Sequence, residues 1–254
     1  MEFGSTGCQP KSMPRIDRCV KIALDALFPM RCIVCNSMDE TGLCPSCSAA
    51  APRIDNPCRQ CGAAVAVHPG DIRCGRCQAS PPAFDSTIAP FSYAPPLSAI
   101  VHQFKYRRRI ALARPLAKIL AREIKSRGIE LPELMVPVPL HWTRLVKRGF
   151  NQSLELCRHL SCELGVPYAR HGVRRINGTT AQTELPLRQR RRNVQSCFDI
   201  HQSPSVKSIA IVDDVMTSGE TAHQIASLLG KHGVSHIQCW VLLRTDILHP
   251  ALHS

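Results

Sequence analysis

The sequence lacks the segments that mark membrane-spanning or secreted proteins. It contains no run of roughly 18 apolar residues, the length that a transmembrane helix needs. Its first residues show no apolar stretch followed by a small-residue cleavage site. We therefore predict a cytoplasmic protein without a membrane span. Aromatic residues make up only 5% of the chain, which argues against a general base-stacking platform.

Acidic residues are also few relative to basic ones. The 254 residues include 32 Lys and Arg against 19 Asp and Glu, which gives a formal net charge of +13. Such an excess predicts an anionic partner, either a nucleic acid, a phosphorylated metabolite or an anionic membrane surface. The hydrophobic fraction of 44% is that of a globular protein rather than a disordered one.

Cysteine is abundant, and its spacing carries information. Two residues between thiolates allow both sulfurs to bind one metal ion, and two such pairs complete a tetrahedral zinc site. We predict two structural zinc sites, paired sequentially in the simplest case, although an interleaved pairing fits the same spacing. Disulfides would need an oxidising compartment, and a redox-active pair usually occurs once rather than four times. The predicted ligands are Cys32, Cys35, Cys44, Cys47, Cys58, Cys61, Cys74 and Cys77.

These cysteines divide the chain into two predicted domains. Residues 1–79 form an N-terminal domain, with a short amphipathic helix over 17–28 ahead of the zinc sites. The Ser-Pro-Pro sequence at 80–82 is typical of a linker. The second domain is predicted to span 84–247.

The first half of the second domain alternates apolar segments with basic ones. The pattern predicts a helix over 97–122, a strand over 135–140 and a basic loop over 141–150. A further helix begins near Asn151, which is a suitable N-cap residue. The Arg-rich tract at 174–193 is predicted to be an extended or mobile basic loop.

The most informative segment lies in the second half of this domain. Four apolar residues at 209–212 predict a buried parallel strand, with Asp213 and Asp214 at its carboxyl end. A loop containing glycine and hydroxyl groups follows, and it opens a helix that ends at Gly233. A strand over 234–243 completes a βαβ unit.

This unit predicts a site for a phosphorylated sugar. Ligands of open parallel sheets bind beyond the carboxyl ends of the strands, where the amides of a helix N-terminus attract phosphate. The two carboxylates would repel phosphate, but they suit a ribose diol or a Mg²⁺ ion. The alternative is an ordinary βα turn that happens to be rich in Asp, Thr and Gly. The predicted site comprises Asp213, Asp214, Val215, Met216, Thr217, Ser218, Gly219, Glu220 and Thr221.

Segment 209–221 resembles the phosphoribosyl pyrophosphate (PRPP) signature of type I phosphoribosyltransferases, and the wider pattern resembles the ComF family. Met216 and Ser218 stand where related sequences often carry other residues, but Ser218 keeps a hydroxyl group. The residues that carry the resemblance are the four Cys-x-x-Cys pairs, Phe104-Lys105-Tyr106, Val136-Pro137-Val138-Pro139-Leu140-His141, Arg144, Arg148-Gly149-Phe150-Asn151-Gln152, Thr180 with Gln182, and Arg191-Arg192-Asn193-Val194.

The resemblance implies a fold and a set of ligand contacts. The fold is α/β, with a double zinc ribbon followed by a phosphoribosyltransferase-like domain that has a mainly parallel sheet and flanking helices. The acid pair, Asp213 and Asp214, would hold the ribose hydroxyls of Mg²⁺-PRPP, and residues 217–221 would hold its 5-phosphate. His141, Arg144 and Arg148 would lie in the pyrophosphate loop. The 174–193 tract would close over the site.

The resemblance also implies a biological role, the handling of single-stranded DNA in the cytoplasm during natural transformation, with a competence helicase or another DNA-processing protein as a further partner. One alternative is an active phosphoribosyltransferase with an unidentified acceptor. Another is a protein-docking adaptor with structural zinc. The candidate DNA contacts are Lys105, Arg107, Arg108, Arg109, Lys147, Arg188, Arg190, Arg191 and Arg192.

Overall fold

The computed structural model describes residues 30–65, 73–176, 197–200 and 204–245. The predicted helix over 17–28 lies outside the described residues, as does most of the basic tract at 174–193. Within the described part of the chain, no helix has the length and apolar character needed to cross a membrane.

The N-terminal region contains two zinc ribbons built on one plan. Ribbon one (residues 30–51) and ribbon two (residues 57–65 and 73–79) each start with a hairpin closed by one antiparallel bridge. The residue after the second cysteine of each ribbon is left-handed, with φ of 64° at Asn36 and 69° at Gly62, and Asn and Gly tolerate this conformation. A short helix then begins directly after the third cysteine, α1 at Pro45–Ala50 and α2 at Gly75–Ala79.

A parallel sheet forms the centre of the second domain. Its strand order is β1-β7-β6-β3. The short strand β2 also pairs with β7, nearer the carboxyl end of β7 than β1 does. The strands β4 and β5 form a separate antiparallel pair. In the described part of the chain the strands are β1 (Ser86–Ile88), β2 (Phe91–Ser92), β3 (Leu134–Pro137), β4 (Val173–Arg175), β5 (Phe198–Ile200), β6 (Ser208–Met216) and β7 (His236–Arg244).

The described residues contain further helices, α3 (Leu97–Tyr106), α4 (Ala113–Ser126), α5 (Trp142–Arg148), α6 (Gln152–Leu164) and α7 (Glu220–Lys231). Of these, α4, α6 and α7 pack on the sheet. The prediction of one helix over 97–122 is wrong. Arg108 has a φ of 51°, which ends α3, and a 3-10 turn at Ile110–Leu112 leads into α4. The break is a property of one backbone angle, and no Gly or Pro marks it in the sequence.

The prediction of a loop over 141–150 is also wrong, because α5 occupies most of it. His141 caps this helix, since its Nδ1 accepts a hydrogen bond from the Thr143 amide at 3.3 Å. Gly149 ends the helix in the left-handed conformation, with φ of 81°. Helix α6 begins as predicted, because Asn151 accepts hydrogen bonds from two amides of its first turn, those of Ser153 and Leu154.

The two ribbons join different hydrophobic cores. Ribbon one contributes Cys32 and Leu43 to the core that includes α3, α4 and α6. Ribbon two contributes three of its cysteines to the core that includes α7 and the β4–β5 pair. The predicted α/β class, with ribbons ahead of a mainly parallel sheet, is therefore confirmed.

Candidate functional site

The eight cysteines of the ribbons form two sequential clusters. Cluster one is Cys32, Cys35, Cys44 and Cys47, and cluster two is Cys58, Cys61, Cys74 and Cys77. In each cluster the four sulfur atoms lie within 4.8 Å of one another. The sulfurs of Cys35 and Cys44 are 3.7 Å apart, and those of Cys61 and Cys74 are 3.6 Å apart.

This geometry fits zinc. With Zn–S bonds of about 2.3 Å, tetrahedral coordination separates the sulfurs by about 3.8 Å. Four sulfurs fill the coordination sphere, so a metal held here would have a structural role. The clusters differ in exposure, because three cysteines of cluster two are buried, whereas cluster one has one buried cysteine and the exposed Cys35.

The acid pair lies within β6, since this strand continues through both aspartates to Met216. Asp214 is only 4% exposed, and one of its carboxylate oxygens pairs with Lys105 Nζ at 3.1 Å. Its other oxygen, Oδ2, is buried, and no group in the described part of the chain hydrogen-bonds to it. A buried, half-paired carboxylate is costly, so this oxygen is a candidate ligand acceptor.

Asp213 has a different environment from its neighbour. Its Oδ1 accepts hydrogen bonds from Ser153 Oγ at 2.8 Å and from the Asp214 amide at 2.9 Å. Burial raises the pKa of Asp213 to about 7, and the charge of Asp214 adds to this increase, while Lys105 opposes it. Asp213 therefore titrates near neutral pH.

The phosphate loop, residues 216–221, connects β6 to α7. Gly219 takes the left-handed conformation, with φ of 80°, immediately before the helix begins at Glu220. The first amides of a helix have no carbonyl partner inside it and therefore suit an anion. Here the Glu220 amide donates a hydrogen bond to Ser218 Oγ at 3.3 Å. Asp213 and this loop line a pocket of about 50 Å³. The strand, the loop and the helix thus bring carboxylates and the N-terminus of α7 to one edge of the sheet.

The predicted pyrophosphate-loop residues are His141, Arg144 and Arg148, and α5 spans this region. His141 is occupied as the cap of the helix. The Arg148 guanidinium lies over the Tyr106 ring, 4.7 Å from its centre, and donates a hydrogen bond to Gln152 at 3.1 Å. These contacts hold the end of α5 against α3 and the first turn of α6.

The predicted DNA contacts divide into three groups. Lys105 points into the site, where it pairs with Asp214. Arg108 donates to the Lys147 carbonyl at 3.4 Å, so the basic residues that follow α3 lie next to α5. The four arginines at positions 188 and 190–192 lie outside the described residues.

Sequence reasoning missed several polar contacts of the site. Ser153 and the partner of Lys105 come from contacts between distant segments, which local patterns do not reveal. Arg244 is 1% exposed at the end of β7, where it donates hydrogen bonds to carbonyls of ribbon two and of the phosphate loop. An arginine that ends an apolar strand is a signal that could have found it.

Comparison with known protein families agrees with this architecture. Residues 23–78 match the double zinc ribbon domain, and residues 112–248 match the phosphoribosyl transferase domain. DNA utilization protein YhgH of Salmonella typhimurium is 37% identical over 224 residues, which are 85% of this chain and 98% of that protein. The same protein of Escherichia coli K12 has equal identity and coverage. Competence protein F of Haemophilus influenzae is 33% identical over 227 residues, again 85% and 98% of the two chains.

This chain belongs to the ComF family. Solved structures offer a weaker likeness. Hypoxanthine phosphoribosyl transferase of Trypanosoma cruzi overlaps 59% of this chain and 71% of its own, with 16% identity and a TM-score of 0.31. The fold assignment therefore rests on the family match and on the sheet topology.

Proposed function

We propose that this ComF-family protein binds Mg²⁺-PRPP, or a related ribose 5-phosphate, and handles internalised single-stranded DNA in the cytoplasm. The observation that carries the first part is the buried Asp214 Oδ2, to which no group in the described part of the chain hydrogen-bonds, in the strand that leads directly into the phosphate loop. Carboxylate acceptors beside an anion site match the two ends of a ribose 5-phosphate, its diol and its phosphate.

The acid pair supports this assignment further. Lys105 offsets one negative charge, and Ser153 orients Asp213 through a hydrogen bond of 2.8 Å. A Mg²⁺ ion or a ribose diol would favour the ionised form of Asp213, so that binding would release its proton at neutral pH. We also propose that the chain divides into an N-terminal domain of residues 1–79 and a second domain of residues 84–247.

The second part rests on a basic surface formed by the end of α3 and by α5. Arg107, Arg108 and Arg109 follow α3, and Arg144 and Lys147 belong to α5. These cations suit a phosphate backbone.

Two exposed aromatic side chains accompany these cations. Tyr106 is 55% exposed and Trp142 is 58% exposed. The Arg148 guanidinium and the His102 ring already contact the Tyr106 ring, so Trp142 is the better candidate for stacking with an unpaired base. The sequence has too few aromatics for an extended platform, so the basic side chains would supply most of the contacts to a single strand.

The names of the relatives support the same role. A DNA utilization protein and a competence protein, both similar to this chain over most of their length, point to DNA as the macromolecular partner. We therefore favour DNA handling over the adaptor hypothesis. An active phosphoribosyltransferase is the alternative within the same pocket, and pyrophosphate release from PRPP in the presence of an acceptor would identify it.

A test measures single-stranded DNA affinity with and without Mg²⁺-PRPP, in the parent and in an Asp213→Asn/Asp214→Asn variant. We expect PRPP to change the DNA affinity of the parent only, and the DNA affinity itself to fall as salt rises. Asp199→Asn, which removes an exposed acid paired with Arg174, is the matched control and should behave like the parent. Salt-independent affinity, or no DNA binding, would contradict the DNA role.

A further inference from the structure

The side chain of Arg244 joins ribbon two to the phosphate loop. Its Nε donates a hydrogen bond to the carbonyl of Cys61, a member of cluster two, at 2.8 Å. Its Nη1 donates to the carbonyls of Met216, at 3.2 Å, and Thr217. One buried guanidinium therefore holds backbone atoms of two segments that are far apart in the sequence.

A second arginine makes an independent connection. Arg76 lies in α2, between two cysteines of cluster two, and donates a hydrogen bond to the carbonyl of Ser218. Three consecutive carbonyls of the phosphate loop, those of residues 216–218, thus accept hydrogen bonds from arginines that contact or belong to ribbon two.

These bonds fix the direction of the loop backbone. A carbonyl held on one side of a peptide orients the following amide to the other side, because the peptide unit is planar. The guanidinium is also a planar fork, so it holds its acceptors in one relative position. A buried arginine must keep its carbonyl partners, since losing them would leave its charge unsolvated.

Ribbon one makes no comparable connection among the residues that the structure describes. Arg122 of α4 donates a hydrogen bond to Thr41 of ribbon one at 3.0 Å. Pro115 of α4 lies against Gly42 of ribbon one. Within the described residues, no hydrogen bond joins ribbon one to the phosphate loop.

We infer that ribbon two is the structural support of the phosphate loop, with Arg244 and Arg76 as positioning residues. The loop keeps its anion-binding conformation while cluster two is intact. Conversely, a phosphorylated ligand on the loop slows metal loss from cluster two and leaves cluster one unaffected, since coupling between two binding events is reciprocal. This ligand-linked part rests on the proposed function.

The first experiment needs no ligand. Hydrogen exchange of the hydrogen-bonded amides at the end of the phosphate loop, Glu220 (to Ser218 Oγ) and His223 (to the Gly219 carbonyl), is measured by mass spectrometry in the zinc-loaded parent, in Arg76→Ala and in Arg244→Lys. We expect faster exchange of these amides in both variants, by about tenfold for the loss of one charged hydrogen bond. Arg76 is exposed, so its variant keeps the test informative if Arg244→Lys does not fold.

Arg59→Ala is the matched control. Arg59 also lies between two cysteines of cluster two, but its side chain makes no hydrogen bond to the phosphate loop in the described part of the chain. Loop exchange in Arg59→Ala should equal that of the parent. Unchanged exchange in both test variants would overturn the inference.

The second experiment uses Mg²⁺-PRPP as the probe. A chelator removes zinc from the full chain, and alkylation of the freed cysteines shows which cluster has lost its metal. We expect bound Mg²⁺-PRPP to slow release from cluster two about tenfold and to leave cluster one unchanged. Equal slowing of both clusters, or no slowing although calorimetry shows binding, would overturn the linkage. If Mg²⁺-PRPP does not bind at all while loop exchange responds to Arg76→Ala, the proposed function fails and the support by ribbon two stands.

Discussion

The two ribbons share one plan but contact different parts of the molecule. Each has a hairpin, a left-handed residue after the second cysteine and a short helix after the third. Ribbon one packs on α4, whereas ribbon two packs on β1 and is tied to the phosphate loop through Arg244. The cysteine spacing therefore determines the metal site, while the contacts outside the ribbon determine which part of the second domain that site stabilises.

Loss of a metal site should give the largest difference between the ribbons. Cys58→Ser removes a cluster-two ligand, and Cys32→Ser removes the buried cysteine at the same place in cluster one. Both variants should lose one zinc and several kcal/mol of local stability, because structural zinc supplies folding free energy. Only Cys58→Ser should abolish Mg²⁺-PRPP binding, as followed by zinc analysis and calorimetry. Equal loss of binding in both variants would remove the distinction between the ribbons.

Two left-handed glycines, one in each ribbon, should give a smaller difference. Gly42 has φ of 84°, and an added Cβ would lie 2.7 Å from Pro115 Cβ; Gly62 has φ of 69°, and its Cβ would lie 3.1 Å from the Thr87 methyl group. Each Gly→Ala change should destabilise the protein by about 1–3 kcal/mol in thermal or urea unfolding.

The two glycine variants should differ in ligand binding. Gly62→Ala displaces ribbon two from β1, so it should weaken Mg²⁺-PRPP binding, while Gly42→Ala should leave the affinity unchanged. Weaker binding in Gly42→Ala alone would reverse the assignment of the two ribbons.

The pH dependence of folding stability should distinguish the contribution of the acid pair from the contributions of the two ribbons. The pKa of Asp213 is raised to about 7 in the folded protein, so the folded state binds this proton more tightly than the unfolded state. The stability contributed by the protonated group is therefore lost as pH rises from about 4 to about 7. Asp213→Asn should flatten this decline in unfolding measurements.

Ligand binding should show the opposite pH trend. Mg²⁺-PRPP requires the ionised carboxylate, so the affinity of the parent should rise between about pH 6 and about pH 8. The phosphate groups of PRPP titrate equally with the parent and with Asp213→Asn, so the difference between the two proteins isolates Asp213. Identical pH profiles for the two would exclude Asp213 from the site.

The smallest effect is expected at the surface of ribbon one. Arg122→Ala removes exposed hydrogen bonds to Thr41 and Ser48. Exposed contacts of this kind contribute about 1 kcal/mol or less. Unfolding should show that small loss, and Mg²⁺-PRPP affinity should not change. A large loss of affinity would indicate that ribbon one is energetically coupled to the pocket.

Local features of the fold could be predicted from the sequence. The Cys-x-x-Cys spacing identified both metal clusters, and Asn151 identified the start of α6. The strand before the acid pair and the helix that follows the phosphate loop were also visible, because apolar periodicity and capping residues act over a few positions.

Features that depend on distant contacts or on a single backbone angle could not be predicted. The left-handed Arg108 divides one predicted helix into two, and the cap at His141 makes a helix out of a basic segment. Lys105 was assigned to DNA binding because its charge lies in a basic run, yet its ion pair with Asp214 depends on tertiary packing. Arg244 bonds to a carbonyl 183 residues away, which no local pattern encodes.

Calorimetric titration with Mg²⁺-PRPP tests the central claim most directly. The parent and the Asp213→Asn/Asp214→Asn variant are compared at neutral pH, with zinc content and folding verified for both. We expect one PRPP to bind per chain of the parent and none to bind to the variant. Binding of equal affinity to both proteins, or no binding to the parent, would contradict it.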